Sequence, residues 1–236
     1  MNRAKVRRPD STPSRGRRIF IVDDHPITRY GLSQLLNHEP DLVVCGEAAD
    51  ARQALSAIRP PLPDLVVADV AMPGQSVIEL LKDLKTLHPE MPVLILSTYD
   101  ETIYAERMVR AGAHGYIMKS AGGAHLLQAI RQVLHGQPFL SPAMTTRMFE
   151  SLGGRRERAE ISPLARLTDR EFEILQCLGQ GRTNRQVAKQ LCVSPKTVEA
   201  HRLSLYRKLN LKTLGQLIRY AVQLERESVL CPSARG

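Results

Sequence analysis

Between residues 17 and 136, short runs of β-branched and other apolar residues alternate five times with stretches of amphipathic helical spacing. The runs Arg18–Val22, Leu42–Glu47, Leu65–Ala68, Val93–Ser97 and Gly115–Met118 are nearly all apolar at their centres. Strands with only one covered face alternate apolar and polar residues, whereas strands covered on both faces do not. Helical patterns lie between and after them, near 26–37, 50–58, 75–87, 101–111 and 122–135. Five β/α repeats predict a doubly wound parallel sheet of α/β, flavodoxin-like class, whose ligands sit at the carboxyl ends of the strands.

The rhythm stops at about residue 137. Pro138, Pro142, Gly153, Gly154 and Pro163 punctuate a charged stretch, read as a linker over 137–163 with a short helix around 142–151. From Leu167 every pattern is helical. Thr168–Glu171, Thr183–Gln186 and Thr213–Gln216 each fit a capping box, and Ser194 followed by Pro195 is a fourth helix start. These signals predict helices over 169–178, 184–191, 195–209 and 214–224, a small all-α domain. The expected organisation is a basic leader (1–17), an α/β domain (18–136), the linker, a helical domain (164–226) and a tail (227–236).

Charge divides along the same lines. The formal net charge is +9, but residues 1–18 carry +6, residues 19–137 carry −5 and residues 164–236 carry +7. A basic helical body beside an acidic one points to a polyanionic partner for the former only. The 4% of aromatic residues and the lack of Trp argue against an aromatic binding platform. No run approaches the length of a membrane span and the leader has no signal-peptide pattern, so a cytoplasmic protein is expected. The four cysteines show no metal spacing, and Cys45, Cys177 and Cys192 are expected to be packing residues.

At the sheet's carboxyl edge the chemistry converges. Asp23 and Asp24 follow the first strand, Asp69 the third, Ser97 ends the fourth and Lys119 follows the fifth. Three adjacent carboxylates repel one another unless a cation lies among them, and all-oxygen ligation suits Mg²⁺. Each acid alone could be a turn or cap residue, but all five polar groups at strand ends point to a site.

These residues resemble the receiver domain of two-component response regulators across roughly residues 18–136. The resemblance rests on Val22-Asp23-Asp24-His25, Asp69-Val-Ala-Met72-Pro73-Gly74, Leu96-Ser97 and Gly115-Tyr116-Ile-Met-Lys119. It implies that Asp69 accepts a phosphoryl group from a histidine kinase. Asp24, Asp69 and the Ala71 carbonyl would ligate Mg²⁺, with Asp23 helping through water. Ser97 and Lys119 would meet the phosphoryl oxygens, and Tyr116 would rotate into space vacated behind Ser97. Val77 and Thr98 depart from residues frequent in the family at those places.

Segment 167–224 resembles the LuxR-type helix-turn-helix that follows receivers of the NarL/FixJ class. The match runs through Leu167-Thr168-Asp-Arg-Glu171, Gly181-x-x-Asn184, Val187-Ala188, Leu191, Ser194 to Arg202, and Lys208-Leu209. On a helix, Val198, Leu205 and Leu209 share the inward stripe, while Lys196, Ala200, Leu203 and Arg207 face outward with Glu199 beside them. Entering the major groove N-terminus first, such a helix sets Lys196, Glu199, Ala200 and Leu203 nearest base edges. Thr197, Arg202, Arg207 and Lys208 are placed for phosphates, as are Asn184 and Arg185. His201 is expected to be structural. The last helix carries more apolar residues than one docking face needs (Leu214, Leu217, Ile218, Ala221, Leu224), which the resemblance links to pairing of two modules.

The expectation is a phosphorylation-responsive transcription regulator that is a homodimer on phosphorylation or on DNA, not an enzyme acting on other molecules. The acidic receiver is expected to cover the DNA face or to hold the module in a non-dimeric arrangement. A phosphorylation-independent interaction protein is the alternative, and the complete carboxylate set argues against it. An aspartyl phosphatase would want a second acid where Ala71 stands, and Gly179-Gln-Gly181 joins two helices rather than following a strand, which excludes a dinucleotide fingerprint.

Overall fold

The structure, a computed structural model, describes residues 16–72, 74–152 and 163–229. The leader up to residue 15, the 153–162 part of the linker, Pro73 and the tail from residue 230, including Cys231, lie outside the described residues.

Five strands, β1 (Arg17–Val22), β2 (Leu42–Ala48), β3 (Leu65–Asp69), β4 (Val93–Ser97) and β5 (Gly115–Met118), form one sheet in the order β2-β1-β3-β4-β5. Every neighbouring pair is parallel. The helices α1 (Pro26–Asn37), α2 (Ala51–Ala57), α3 (Val77–Leu87), α4 (Glu101–Ala111) and α5 (Gly123–Leu134) connect them, close to the expected bounds. Alternate residues of β1 show why the strands read as continuous apolar runs. Ile19 and Ile21 pack with Leu36, Ile130 and Val133 of α1 and α5, whereas Phe20 and Val22 pack with the layer built by α2, α3 and α4. The order of connection reverses between β1 and β3, so a crevice opens at their carboxyl ends.

The exposed flank of β5 is partly covered by the chain's own return. Tyr116 N–H donates to Phe139 O at 2.9 Å and Phe139 N–H to His114 O at 3.1 Å, which uses amide groups an open edge would offer to another strand. Helix α6 (Pro142–Leu152) follows where the short linker helix was expected and seats Met144 in the core.

The last domain contains α7 (Asp169–Gly179), α8 (Asn184–Gln190), α9 (Pro195–Lys208) and α10 (Leu214–Val229). The capping boxes at Thr168 and Thr183 are both closed, and Thr213 and Gln216 make the same reciprocal pair of bonds at 3.2 and 3.3 Å. Ser194 Oγ accepts from Thr197 N–H at 3.0 Å, with Pro195 in the first turn. Gly179 is where α7 and α10 approach closely. A Cβ there would lie 2.6 Å from Ala221 O, so only glycine lets the two backbones meet.

Glu171 is buried between α7 and α9. Burial pushes its carboxyl pKa up, but Lys208 Nζ at 2.7 Å and bonds from Ser204 and Thr168 more than offset that and hold it at about 2. A depressed carboxyl contributes stability above its ordinary value of 4.5, and that stability is lost as pH falls toward 2. Lys208→Ala is therefore expected to destabilise the helical domain by about 2 kcal/mol at neutral pH, because a buried carboxylate loses its partner at a half-exposed bridge. Urea unfolding at pH 7 and at pH 3 checks this, the difference between variant and parent shrinking at the lower pH.

The two domains touch. Tyr104 of α4 meets Phe172 of α7 edge-on at 5.2 Å between centroids, and Arg107 lies over the Phe172 ring at 4.5 Å. Arg107 also donates to Leu167 O at 2.9 Å and to Leu164 O, while Lys82 pairs with Asp169 at 2.6 Å.

Candidate phosphoacceptor pocket and DNA-reading helix

The strand ends bring the expected acids together. Asp23 and Asp69 are 1% and 3% exposed, while Asp24 is partly open to solvent. One ligand atom from each of Asp23, Asp24, His25 and Asp69 lies within 4.8 Å of the others, a group that could hold a metal ion. Lys119 Nζ bridges two of the carboxylates, donating to Asp23 Oδ2 at 2.7 Å and Asp69 Oδ2 at 2.9 Å. His25 N–H donates to Asp23 Oδ1 at 2.8 Å, which turns the chain out of β1 into α1.

Asp69 is held by burial, which raises its pKa, and the Lys119 ammonium pulls the other way. Its Oδ1 is buried with no hydrogen-bond partner among the described residues. A buried carboxylate oxygen left unbonded beside two further acids fits a cation site, because an incoming ion would supply the missing contact. Ala71 lines the same cleft as Asp24.

Ser97 and Tyr116 are placed differently from the simple expectation. Ser97 is fully buried, and its Oγ accepts from Tyr99 N–H at 3.0 Å. Tyr116 already lies inward at 1% exposure, its hydroxyl donating to Tyr99 O at 2.7 Å. In this structure the ring is thus already turned inward, its buried hydroxyl stabilised by that bond. Both residues converge on Tyr99, which no sequence motif singles out.

On the helical domain, α9 presents the expected outer face. Lys196, Glu199, Ala200 and Arg207 are exposed and Leu203 is 59% exposed, while Val198 and Leu205 are fully buried. Arg185 at the start of α8 is exposed, and Thr197 and His201 are half-buried. Three of the residues expected at phosphates also have partners within the domain. Arg202 donates to Asn184 Oδ1 at 2.8 Å and to Tyr206 OH at 3.3 Å, tying α8 to α9, and Lys208 is held by Glu171. The acidic domain does not cover this outer face, which corrects one of the two expected arrangements. Docking runs through α7 and the end of α10 because Phe172, Gln176 and Glu225 find aromatic and hydroxyl partners there. Cys177 is buried and Cys45 half-buried, but Cys192 is exposed, contrary to expectation. It occupies the turn after α8 with φ of 53°, between Leu191 and Val193, which take the inward positions.

Comparison with known proteins agrees with this geometry. Residues 19–131 match the response regulator receiver domain, and residues 165–221 match the bacterial regulatory proteins of the luxR family. The oxygen regulatory protein NreC of Staphylococcus carnosus is 36% identical over 210 residues, 87% of this chain and 97% of that protein. A LuxR-family two-component response regulator from Aurantimonas sp. SI85-9A1 is 36% identical with a TM-score of 0.53, covering 58% of this chain and 99% of that one. The Salmonella typhimurium RcsB response regulator, described for conformational dynamism in DNA interaction, is 25% identical with a TM-score of 0.68, covering 89% and 98%. No helix among the described residues is long and apolar enough to cross a membrane. The chain belongs to the two-component response regulators in which a receiver domain is joined to a LuxR-type helix-turn-helix, a family of transcription regulators.

Proposed function

We propose that this regulator accepts a phosphoryl group on Asp69 from a sensor histidine kinase and uses it to control sequence-specific DNA binding through α9. The observation that carries the reading is Asp69 itself: a buried carboxylate with one oxygen on Lys119 and the other unbonded, inside a group of acids. A bound Mg²⁺ at Asp23, Asp24, Asp69 and the Ala71 carbonyl would supply positive charge for the phosphoryl oxygens. Lys119 offers a second positive group there, and Ser97 a hydroxyl once its bond to Tyr99 is released. The chain promotes only its own phosphorylation and dephosphorylation, and works in the cytoplasm.

Lys196, Glu199, Ala200 and Leu203 would read base edges, the last two by apolar contact. Arg185, Thr197 and Arg207 would meet phosphates, and Arg202 with Asn184 would do so as a coupled pair. Leu214 and Ile218 remain 46% and 40% exposed on α10, which supports pairing of two modules on a two-fold site. Mass spectrometry after treatment with Mg²⁺ and acetyl phosphate tests the site. Phosphate on Asp69, lost when Mg²⁺ is chelated, is the expected result; phosphate on another residue refutes the assignment.

A further inference from the structure

One acid stands on the face of α9 that is open to DNA. Glu199 is exposed, and among the described residues no hydrogen bond or ion pair reaches its carboxylate. The other acids of this domain with described side chains are all engaged. Asp169 pairs with Lys82, Glu171 with Lys208 and Glu173 with Arg170, while Glu225 accepts from the Tyr99 hydroxyl. A cation three residues away on a helix could neutralise Glu199, and Arg202 has that spacing. Its guanidinium is tied to Asn184 Oδ1 and Tyr206 OH instead. Lys196, three residues on the other side, is exposed and does not pair with Glu199.

A free carboxylate facing a polyanion opposes binding to every sequence alike unless a donor meets it in the groove. An ionised carboxylate only accepts hydrogen bonds, so its choice among base edges is narrow. Guanine offers two acceptors in the major groove, and thymine an acceptor and a methyl group. Adenine sets its amino donor beside the N7 acceptor, a pattern that suits an amide better than a carboxylate. Cytosine presents the N4 amino group with no acceptor beside it. The neighbouring side chains agree with such a position. Leu203, four residues on and 59% exposed, lies about 6 Å further along the helix, close to two base steps of about 3.4 Å.

We propose that Glu199 selects a cytosine in each half-site by accepting a hydrogen bond from its N4 amino group, and that it lowers affinity for duplexes lacking that cytosine. The proposal rests on α9 being the helix that reads bases. Glu199 therefore acts in two directions. At the right base pair the amino group replaces the water that the carboxylate gives up on entering the groove. At a wrong one the carboxylate is desolvated against acceptors, and the complex is penalised. The apolar pair Ala200 and Leu203 then places thymine methyls within two base steps of the cytosine.

The test uses the full chain, treated with Mg²⁺ and acetyl phosphate, as wild type, Glu199→Ala and Glu199→Gln. A duplex is first selected by the wild type from a random library, and each of its base pairs is then substituted in turn. At the assigned cytosine a further duplex carries 2-pyrimidinone, which has hydrogen in place of the amino group. Wild type should lose roughly tenfold in affinity for that duplex, and Glu199→Ala should lose less than about twofold. Affinity of Glu199→Ala for unrelated duplexes should rise by about threefold, because a charge facing the phosphates has gone. Glu199→Gln, which can both donate and accept, should move the preference at that position from cytosine towards adenine. A solvated surface acid would leave all these preferences unmoved. Equal discrimination by wild type and Glu199→Ala at every position, with specific binding retained, overturns the role of Glu199 alone. Discrimination lost at a base other than cytosine overturns the assigned base. A selected site that is insensitive to Lys196→Ala and Leu203→Ala as well refutes reading by α9, and the proposal with it.

Discussion

Asp69→Asn is expected to leave the receiver folded and to abolish acyl phosphate formation, so that treatment with phosphodonor no longer alters DNA binding. The amide is nearly isosteric with the carboxylate, and its oxygen still reaches Lys119, but it is not a comparable nucleophile. Burial disfavours the Asp69 charge more than Lys119 favours it, so replacing the carboxylate by a neutral amide does not cost the fold stability. The variant should therefore melt at or above the wild-type temperature while carrying no phosphate. Intact mass after incubation with Mg²⁺ and acetyl phosphate reads the effect, and phosphate still found on the receiver would move the acceptor elsewhere.

The second large effect is expected at Ala200. Ala200→Asp puts a carboxylate on the exposed centre of α9, facing a polyanion, with Glu199 already beside it. Both repulsion and an unpaired buried charge at a base edge act against the complex, and a loss of about 3 kcal/mol, or more than a hundredfold in affinity, is expected. Lys196→Ala should cost less, about 1 kcal/mol, since it gives up one favourable contact and its share of counterion release. The two variants also differ in salt response. Removing Lys196 takes one positive charge out of the groove and flattens the dependence of affinity on salt, by up to about one ion. Wild-type affinity for both would remove this face of α9 from the interface.

Much of this architecture was legible because local and global signals coincide. Strands buried on both faces must be apolar throughout, so the runs from Ile19 to Ile117 could be read without partners, and their ends located Asp69, Ser97 and Lys119 together. Helix starts in the last domain were as plain, because a capping box states its own geometry. The docking of one domain on the other was not legible. Tyr104, Arg107 and Phe172 each satisfy a helical pattern within their own element, and nothing in that periodicity says that they face one another. The available signal was compositional: in a chain with 6 Tyr and 4 Phe, two tyrosines, Tyr99 and Tyr104, lie within seven residues after Ser97. Periodicity was equally silent on Lys208 and Arg202, whose positions on α9 fit phosphate contacts although their charged groups have partners at Glu171 and Asn184. Cys192 was misjudged because the apolar neighbours Leu191 and Val193 hid a turn residue with positive φ.

Phosphate on the receiver is expected to change DNA binding by the helical domain. Effects of one site on another in switching proteins commonly correspond to 1–3 kcal/mol, so a gain of roughly tenfold in operator affinity is expected on phosphorylation. The decisive measurement is a titration of one operator, at one salt concentration, with full-length protein before and after phosphorylation and with Asp69→Asn under the same treatment. The predicted result is tighter binding by the phosphorylated wild type alone. Equal affinity for all of them, with phosphate verified on Asp69, would contradict the account.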